Sequence, residues 1–202
     1  MNPVSRIGLD TAKNVFQAHG VDASGAEVAK RRLRRRQVLE WFARLERSDD
    51  CVVGLEATGG SHYWARELIK LGYRVRLLNA QAVKAYRHGQ KTDARDAAAI
   101  CEAAGREAVS EAPIKSEAQQ AILAQQAYRR RLIKQRTALG NQLRGLAAEA
   151  GIVIARGRPA LKRRLVEIIE DGDNGVADGL RQVLAYGYEE LVALDQRIKV
   201  WD

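Results

Sequence analysis

The hydrophobic pattern of this chain changes period near its middle. In the first hundred residues, short apolar runs stand between turn residues. Residues 4–9 read as a buried strand that ends at Asp10. Residues 13–21 form the next, with Val15 and then Gln17 alternating, and Asp22-Ala23-Ser24-Gly25 is a hairpin turn. A short third strand over 26–29 completes an antiparallel meander. A helix is predicted over 37–47, where Val38, Trp41, Phe42 and Leu45 share one face. Residues 51–55 are continuously apolar, as in a strand covered on both faces, and end at Glu56. A helix over 63–71 closed by Gly72, a strand over 74–78, and helices from about 81 and over 93–104 follow. This order predicts an α/β domain over residues 1–110: a mixed five-stranded sheet with flanking helices.

Past Pro113 the pattern is helical throughout, which predicts an all-α region over 111–202. Residues 116–148 form one long helix with Tyr128, Leu132, Leu139, Leu143 and Leu146 on a stripe. A break over 151–159 precedes a short basic helix at 160–169. The last segment carries Leu180, Leu194 and Trp201 at seven-residue steps, interleaved with Leu184, Leu191 and Ile198. That is a coiled-coil seam interrupted at Gly187. It is expected to pack antiparallel on the 128–146 helix, with Glu189, Glu190 and Asp195 facing arginines, and to support a dimer. The seam still runs at Asp202, so the chain reads as a fragment.

Composition adds a partner. The 202 residues carry a formal charge of +9, which suits a polyanion. The excess is local: residues 128–164 hold 11 basic groups and one acid, whereas 165–202 hold 3 basic and 9 acidic. Arg129, Arg130, Arg131, Lys134, Arg136 and Arg144 surround most of a helix, more than one solvated face requires. With Arg156, Arg158, Lys162, Arg163 and Arg164 they are the nucleic-acid candidates. The run Lys30 to Arg36 serves equally well as a solvated helix entry or a phosphate track. Cys51 and Cys101 lack a CxxC partner and are expected to pack as small apolar residues in a reducing cytoplasm. No run has the length of a membrane span. His19, His62 and His88 have no metal spacing between them, though His62 lies near Glu56 in sequence.

The candidate chemistry is a set of four acids. In the predicted sheet the first and fourth strands lie side by side, which places Asp10 beside Glu56 at their C-terminal ends. Asp93 and Asp96 are three apart and share a helix face. Converging carboxylates of this kind suit hard cations, and two Mg²⁺ ions (or Mn²⁺) about 4 Å apart would serve phosphodiester chemistry.

Three stretches then carry a resemblance: Gly8-Leu9-Asp10-Thr11-Ala12-Lys13, Glu56-Ala57-Thr58-Gly59 and Lys91-Thr92-Asp93-Ala94-Arg95-Asp96-Ala97. Their order and spacing resemble the motifs of DEDD transposases of the IS110 insertion-sequence class, to which the Piv-type DNA invertases are related. The resemblance implies a RuvC-like (RNase H fold) domain with Asp10, Glu56, Asp93 and Asp96 as its catalytic acids, followed by a coiled coil. It also implies a DNA substrate, a structured non-coding guide RNA and a homo-oligomer, dimer or tetramer. Two departures stand out. Asn79-Ala80 replaces the family's common Asn-Pro, and no serine follows Ser116, although the family's second catalytic part carries a serine nucleophile. A RuvC-like junction resolvase would use the same acids without a serine. An actin-like sugar kinase would need later Gly-rich phosphate motifs, which this sequence lacks. An RNA-binding module with vestigial acids would bind no metal.

Overall fold

The computed structural model describes residues 2–87 and 93–201, the side chain of Asp93 excepted. The sequence-predicted elements at His88, Lys91 and Thr92 therefore lie outside the described residues. The chain divides into two compact units, Met1–Ser116 and Glu117–Asp202.

In the first unit, β1 (Val4–Asp10), β2 (Val15–Val21) and β3 (Glu27–Arg34) form the antiparallel meander. A 3-10 turn leads into α1 (Val38–Arg44). Then come β4 (Arg47–Glu56), α2 (Ser61–Lys70), β5 (Arg74–Leu78), α3 (Ala80–Lys84) and α4 (Asp93–Ala104). The sheet order is β3-β2-β1-β4-β5, with β4 parallel to both β1 and β5. This is the α/β, RuvC-like architecture that the sequence predicts.

β3 differs from expectation. It does not end near Ala29 but continues through the basic run to Arg34, pairing Lys30 with His19, Arg31 with Ala18 and Arg32 with Gln17. Strand pairing with β2 overrides the helix-entry reading. Leu33 supplies the buried anchor opposite Phe16, and the charges line an edge strand, where they oppose pairing with another sheet. The hairpin before it is fixed by Asp22. Its Oδ1 accepts from the Ser24 amide and hydroxyl and the Ala26 amide, and Oδ2 from Asn2.

The sheet is covered on both faces. Ile7, Leu9, Val53 and Leu55 point to one side, into a core with Phe16, Phe42, Trp64 and Leu68. Their alternates, Gly8 and Gly54, are register partners on the other side, under α4. A Cβ on Gly8 would lie 2.0 Å from the Ala97 carbonyl oxygen and 2.3 Å from the Cys101 amide nitrogen. One on Gly54 would lie 2.6 Å from Ala104 Cβ. The paired glycines and the Ala-rich face of α4 thus let helix backbone rest on strand backbone. Cys101 packs in this contact, and both it and Cys51 are buried free thiols.

In the second unit, α5 (Glu117–Glu149), α6 (Arg158–Glu170) and α7 (Asp178–Lys199) make an all-α packing. α7 runs antiparallel to α5: Leu143 sits at Gly187, Arg136 pairs with Asp195, and Tyr128 stacks edge-on against Trp201. Gly187, the interruption in the heptad pattern, is where Leu143 enters. A Cβ there would fall 2.4 Å from Leu143 Cδ2. Leu184, Leu191, Leu194 and Ile198 are all buried within the unit. Among the three acids expected to face arginines, Asp195 does so, while Glu189 and Glu190 are exposed. No described helix is long and apolar enough to cross a membrane.

Candidate active site

Asp10 and Glu56 are brought together by strand register. Leu9 pairs with Leu55 across the parallel β1–β4 ladder, so the next residue of each strand emerges side by side. Adjacent strands are about 4.8 Å apart. Asp10 shares the side of Gly8, and Glu56 that of Gly54, so both acids face α4. Carboxylates held at that spacing repel by on the order of 3 kcal/mol at an effective dielectric of about 20. A positive charge placed between them would offset that repulsion.

The loop after Glu56 turns without crowding. Gly60 has φ 85° and caps α2, a left-handed conformation that suits glycine. Gly59 has open space around it. The glycines thus serve the turn.

α4 brings the remaining acids. Asp96 lies one residue before Ala97, whose carbonyl rests on Gly8, so the contact that docks α4 also brings Asp96 to the strand ends. Asp96 is buried, with 6% of its surface exposed. Its partner is Arg87, which the sequence pattern did not single out: Nε stands 2.5 Å from Asp96 Oδ1. Among the described residues neither atom has hydrogen-bond geometry to any group, despite burial of both. The far end of α4 is held by Arg76 of β5, another residue that patterning missed. This guanidinium donates to the carbonyls of Ala104 (2.7 Å), Arg106 (3.1 Å) and Val109 (3.2 Å) and pairs with Glu111 at 2.5 Å. An arginine inside an apolar run on a buried strand was the available signal.

Among the described residues no three His, Cys, Asp or Glu side chains are grouped closely enough to hold a metal. By chemistry the set fits a hard cation, since its donors are carboxylates alone. The Arg87 guanidinium supplies positive charge at Asp96 Oδ1.

His62 is tied into the fold. Its Nδ1 accepts the Lys115 amide at 3.3 Å, and burial together with Lys115 and Arg66 pushes its pKa down, favouring the neutral ring. His19 pairs with Glu27 at 3.2 Å, and burial likewise lowers its pKa.

The basic candidates of the second unit separate into two groups. Arg130, Arg131, Lys134, Arg163 and Arg164 are exposed on α5 and α6; Arg131 lies over the Tyr128 ring and Arg164 pairs with Glu167. Arg129 is half-buried. Arg136 and Lys162 converge on Asp195, at 2.9 and 2.5 Å. Burial tends to raise the Asp195 pKa, but hydrogen bonds from Lys162 and Arg136 outweigh it and hold the carboxyl below its ordinary value. Arg144 donates to the Gly140 and Gly157 carbonyls, at 3.4 and 2.9 Å.

Comparison with known proteins agrees with this architecture. The family model for transposases of the DEDD, IS110 type matches residues 7–151. A Pseudomonas aeruginosa protein described as "Probable family 20 transposase" is 44% identical over 196 residues, 96% of this chain and 57% of its own. The transposase for insertion sequence element IS1111A of Coxiella burnetii is 37% identical over 98% of this chain and 54% of its own. That for IS1328 of Yersinia enterocolitica is 33% identical over 81% and 48%. The chain spans about half the length of these curated relatives.

Proposed function

Since the chain belongs to the IS110-type DEDD transposase family, we propose that Asp10, Glu56, Asp93 and Asp96 form its Mg²⁺-dependent centre for DNA strand cleavage and exchange. The observation that carries this reading is the register of Leu9 with Leu55, which aligns Asp10 and Glu56 beneath the helix that buries Asp96. Two divalent ions in such a centre supply an activated nucleophile and neutralise the leaving oxygen of a phosphodiester. The protein's own part is placement. β1 and β4 fix two carboxylates, the glycine-floored contact fixes a third, and Arg87 balances Asp96 electrostatically. In this reading Asp93 completes the set from the same helix turn as Asp96.

Isothermal calorimetry with Mg²⁺ and Mn²⁺ tests the centre. Asp93→Asn and Asp96→Asn should each weaken divalent-ion binding at least tenfold while circular dichroism stays unchanged. Equal affinity in parent and variants would reject the assignment.

The exposed basic residues of α5 and α6 are assigned to nucleic-acid phosphates, both of DNA and of a structured guide RNA. Replacing Arg129, Arg130 and Arg131 with Ala should reduce affinity for all sequences. Each lost contact should flatten the salt dependence by roughly 0.7 to 0.9 in log–log slope. An identical slope would leave these residues as solvated surface. A homo-oligomer, dimer or tetramer, is part of the same reading. Its contact must differ from the heptad seam, whose leucines are used within one chain. Light scattering giving a monomer would remove it.

A further inference from the structure

The second unit contains a cavity of about 280 Å³ lined by Arg136, Thr137, Asn141, Arg144, Gly157 and Arg158, among others. Its volume equals roughly nine waters' share of the liquid. We propose that this cavity is a binding site for a single phosphate group, and that the phosphate it takes is one of a nucleic-acid backbone.

Four independent features converge there. The first is charge. Arg136, Arg144 and Arg158 line the cavity, and no acid is among the lining residues. Outside the lining, Asp195 is shared by Arg136 at 2.9 Å, Lys162 at 2.5 Å and Arg158 at 3.7 Å. Four cations against one carboxylate leave a local surplus of three.

The second is the start of α6. Gly157 is its N-cap with φ 97°, and no side chain caps the helix. No acid stands in its first turn either, so the positive end of the helix dipole is left uncompensated beside three arginines. The usual Ser, Thr or Asp cap would fill the place an external oxyanion would take.

The third is a pre-positioned side chain. Arg144 directs one guanidinium nitrogen to Gly140 O and another to Gly157 O, which fixes its charge along the cavity wall.

The fourth is the balance between access and dielectric. Leu161 and Leu191, both buried, contribute to the lining, while Arg158 keeps 63% of its side chain exposed and Thr137 and Asn141 are also exposed. Apolar surroundings strengthen the Coulomb attraction, and the open side admits a phosphate that remains attached to a chain. The Asn141 amide can donate to a remaining oxygen.

This inference deepens the reading of α5 and α6 as a nucleic-acid surface, but its test separates the two. The full chain is titrated with inorganic phosphate by calorimetry, then with a single-stranded RNA and a DNA duplex across a salt series. The variants are Arg158→Gln, whose side chain is mostly exposed, and Arg144→Gln, each checked by circular dichroism. Should Arg144→Gln fail to fold, Asn141→Leu, which blocks the mouth, replaces it.

The parent should bind phosphate at 1:1, and each folded variant should lose at least fivefold in affinity. On nucleic acid, Arg158→Gln should lower the salt slope by about one contact. Failure of the parent to bind phosphate overturns the site, as does equal binding by parent and variants. Phosphate binding with no change in nucleic-acid slope overturns the backbone source and leaves a free-phosphate site. If Arg129, Arg130 and Arg131 affect nucleic acid while the cavity variants do not, the general reading survives and this one falls.

Discussion

Replacing Gly8 with Ala tests the contact on which the acid crevice depends. The new methyl carbon would sit 2.0 Å from Ala97 O, 2.3 Å from Cys101 N and 2.9 Å from Cys101 Cα. Comfortable separation is about 3.5 Å, so the helix backbone must retreat by on the order of 1.5 Å. All three obstructing atoms are main chain, so no rotamer change relieves the clash. α4 is also pinned at its far end by Arg76, which resists a rigid retreat. Overpacking costs typically about 1–3 kcal/mol, and the upper end applies here. For a unit of this size, 3 kcal/mol corresponds to roughly 10 °C in melting temperature. Trp41 and Trp64 report on this unit, so urea and thermal unfolding followed by tryptophan fluorescence measure the loss. Gly59→Ala is the control: nothing lies within 4 Å of that position, and the change should be within about 0.5 kcal/mol of neutral. A displaced α4 also carries Asp96 away from Asp10, so divalent-ion affinity should fall in step. If Gly8→Ala unfolds within about 1 kcal/mol of the parent while the control behaves, the account of the helix–strand contact is wrong.

Other perturbations follow from the same geometry. Arg87→Gln leaves Asp96 buried without its counter-charge, which should cost about 3 kcal/mol in EDTA. Mg²⁺ should restore stability more fully than in the parent, and equal melting of parent and variant in EDTA would show that the pair is inconsequential. At the hairpin, hydrogen bonds from Ser24 and then Asn2 hold the Asp22 carboxyl down at about 2. A depressed carboxyl stabilises the fold above its unfolded pKa, near 4, and that share is lost as pH falls through 2. Asp22→Asn should therefore melt lower than the parent at pH 7 and converge with it near pH 2; a constant gap across that range would rule the linkage out. Asp195→Asn frees Arg136 and Lys162 together, and partial exposure limits the cost to about 1–3 kcal/mol. Guanidinium unfolding of the helical unit should show it, and a loss under about 0.5 kcal/mol would mean that the two cations carry no net pairing energy.

Periodicity alone determined the order and type of the elements, because burial of one face imposes a period of two or 3.6 on any amphipathic segment. The strand at Arg74–Leu78 was legible to the residue and the helix from Asp93 to about Ala104 nearly so, and Asp10 and Glu56 announced themselves as acids closing apolar runs. What periodicity could not carry was anything settled by a partner distant in sequence. The basic run reads locally as a helix entry, yet β2 offers its ladder and the run becomes a charged edge strand. Gly187 reads as a flaw in a heptad until Leu143 is seen to need the space, and Gly8 reads as an ordinary interruption until α4 lies on it. Arg87 carries no pattern, and Arg76 shows only as an arginine set within an apolar run. Their roles follow from a buried carboxylate and from the open carbonyls at the end of a helix, both supplied by other parts of the chain. The heptad leucines predicted a seam against the 128–146 helix, and the folded unit closes it there, with an arginine opposite Asp195 but none at the exposed Glu189 and Glu190. Local pattern registers what must be buried, whereas the fold decides which charges and which backbones meet there.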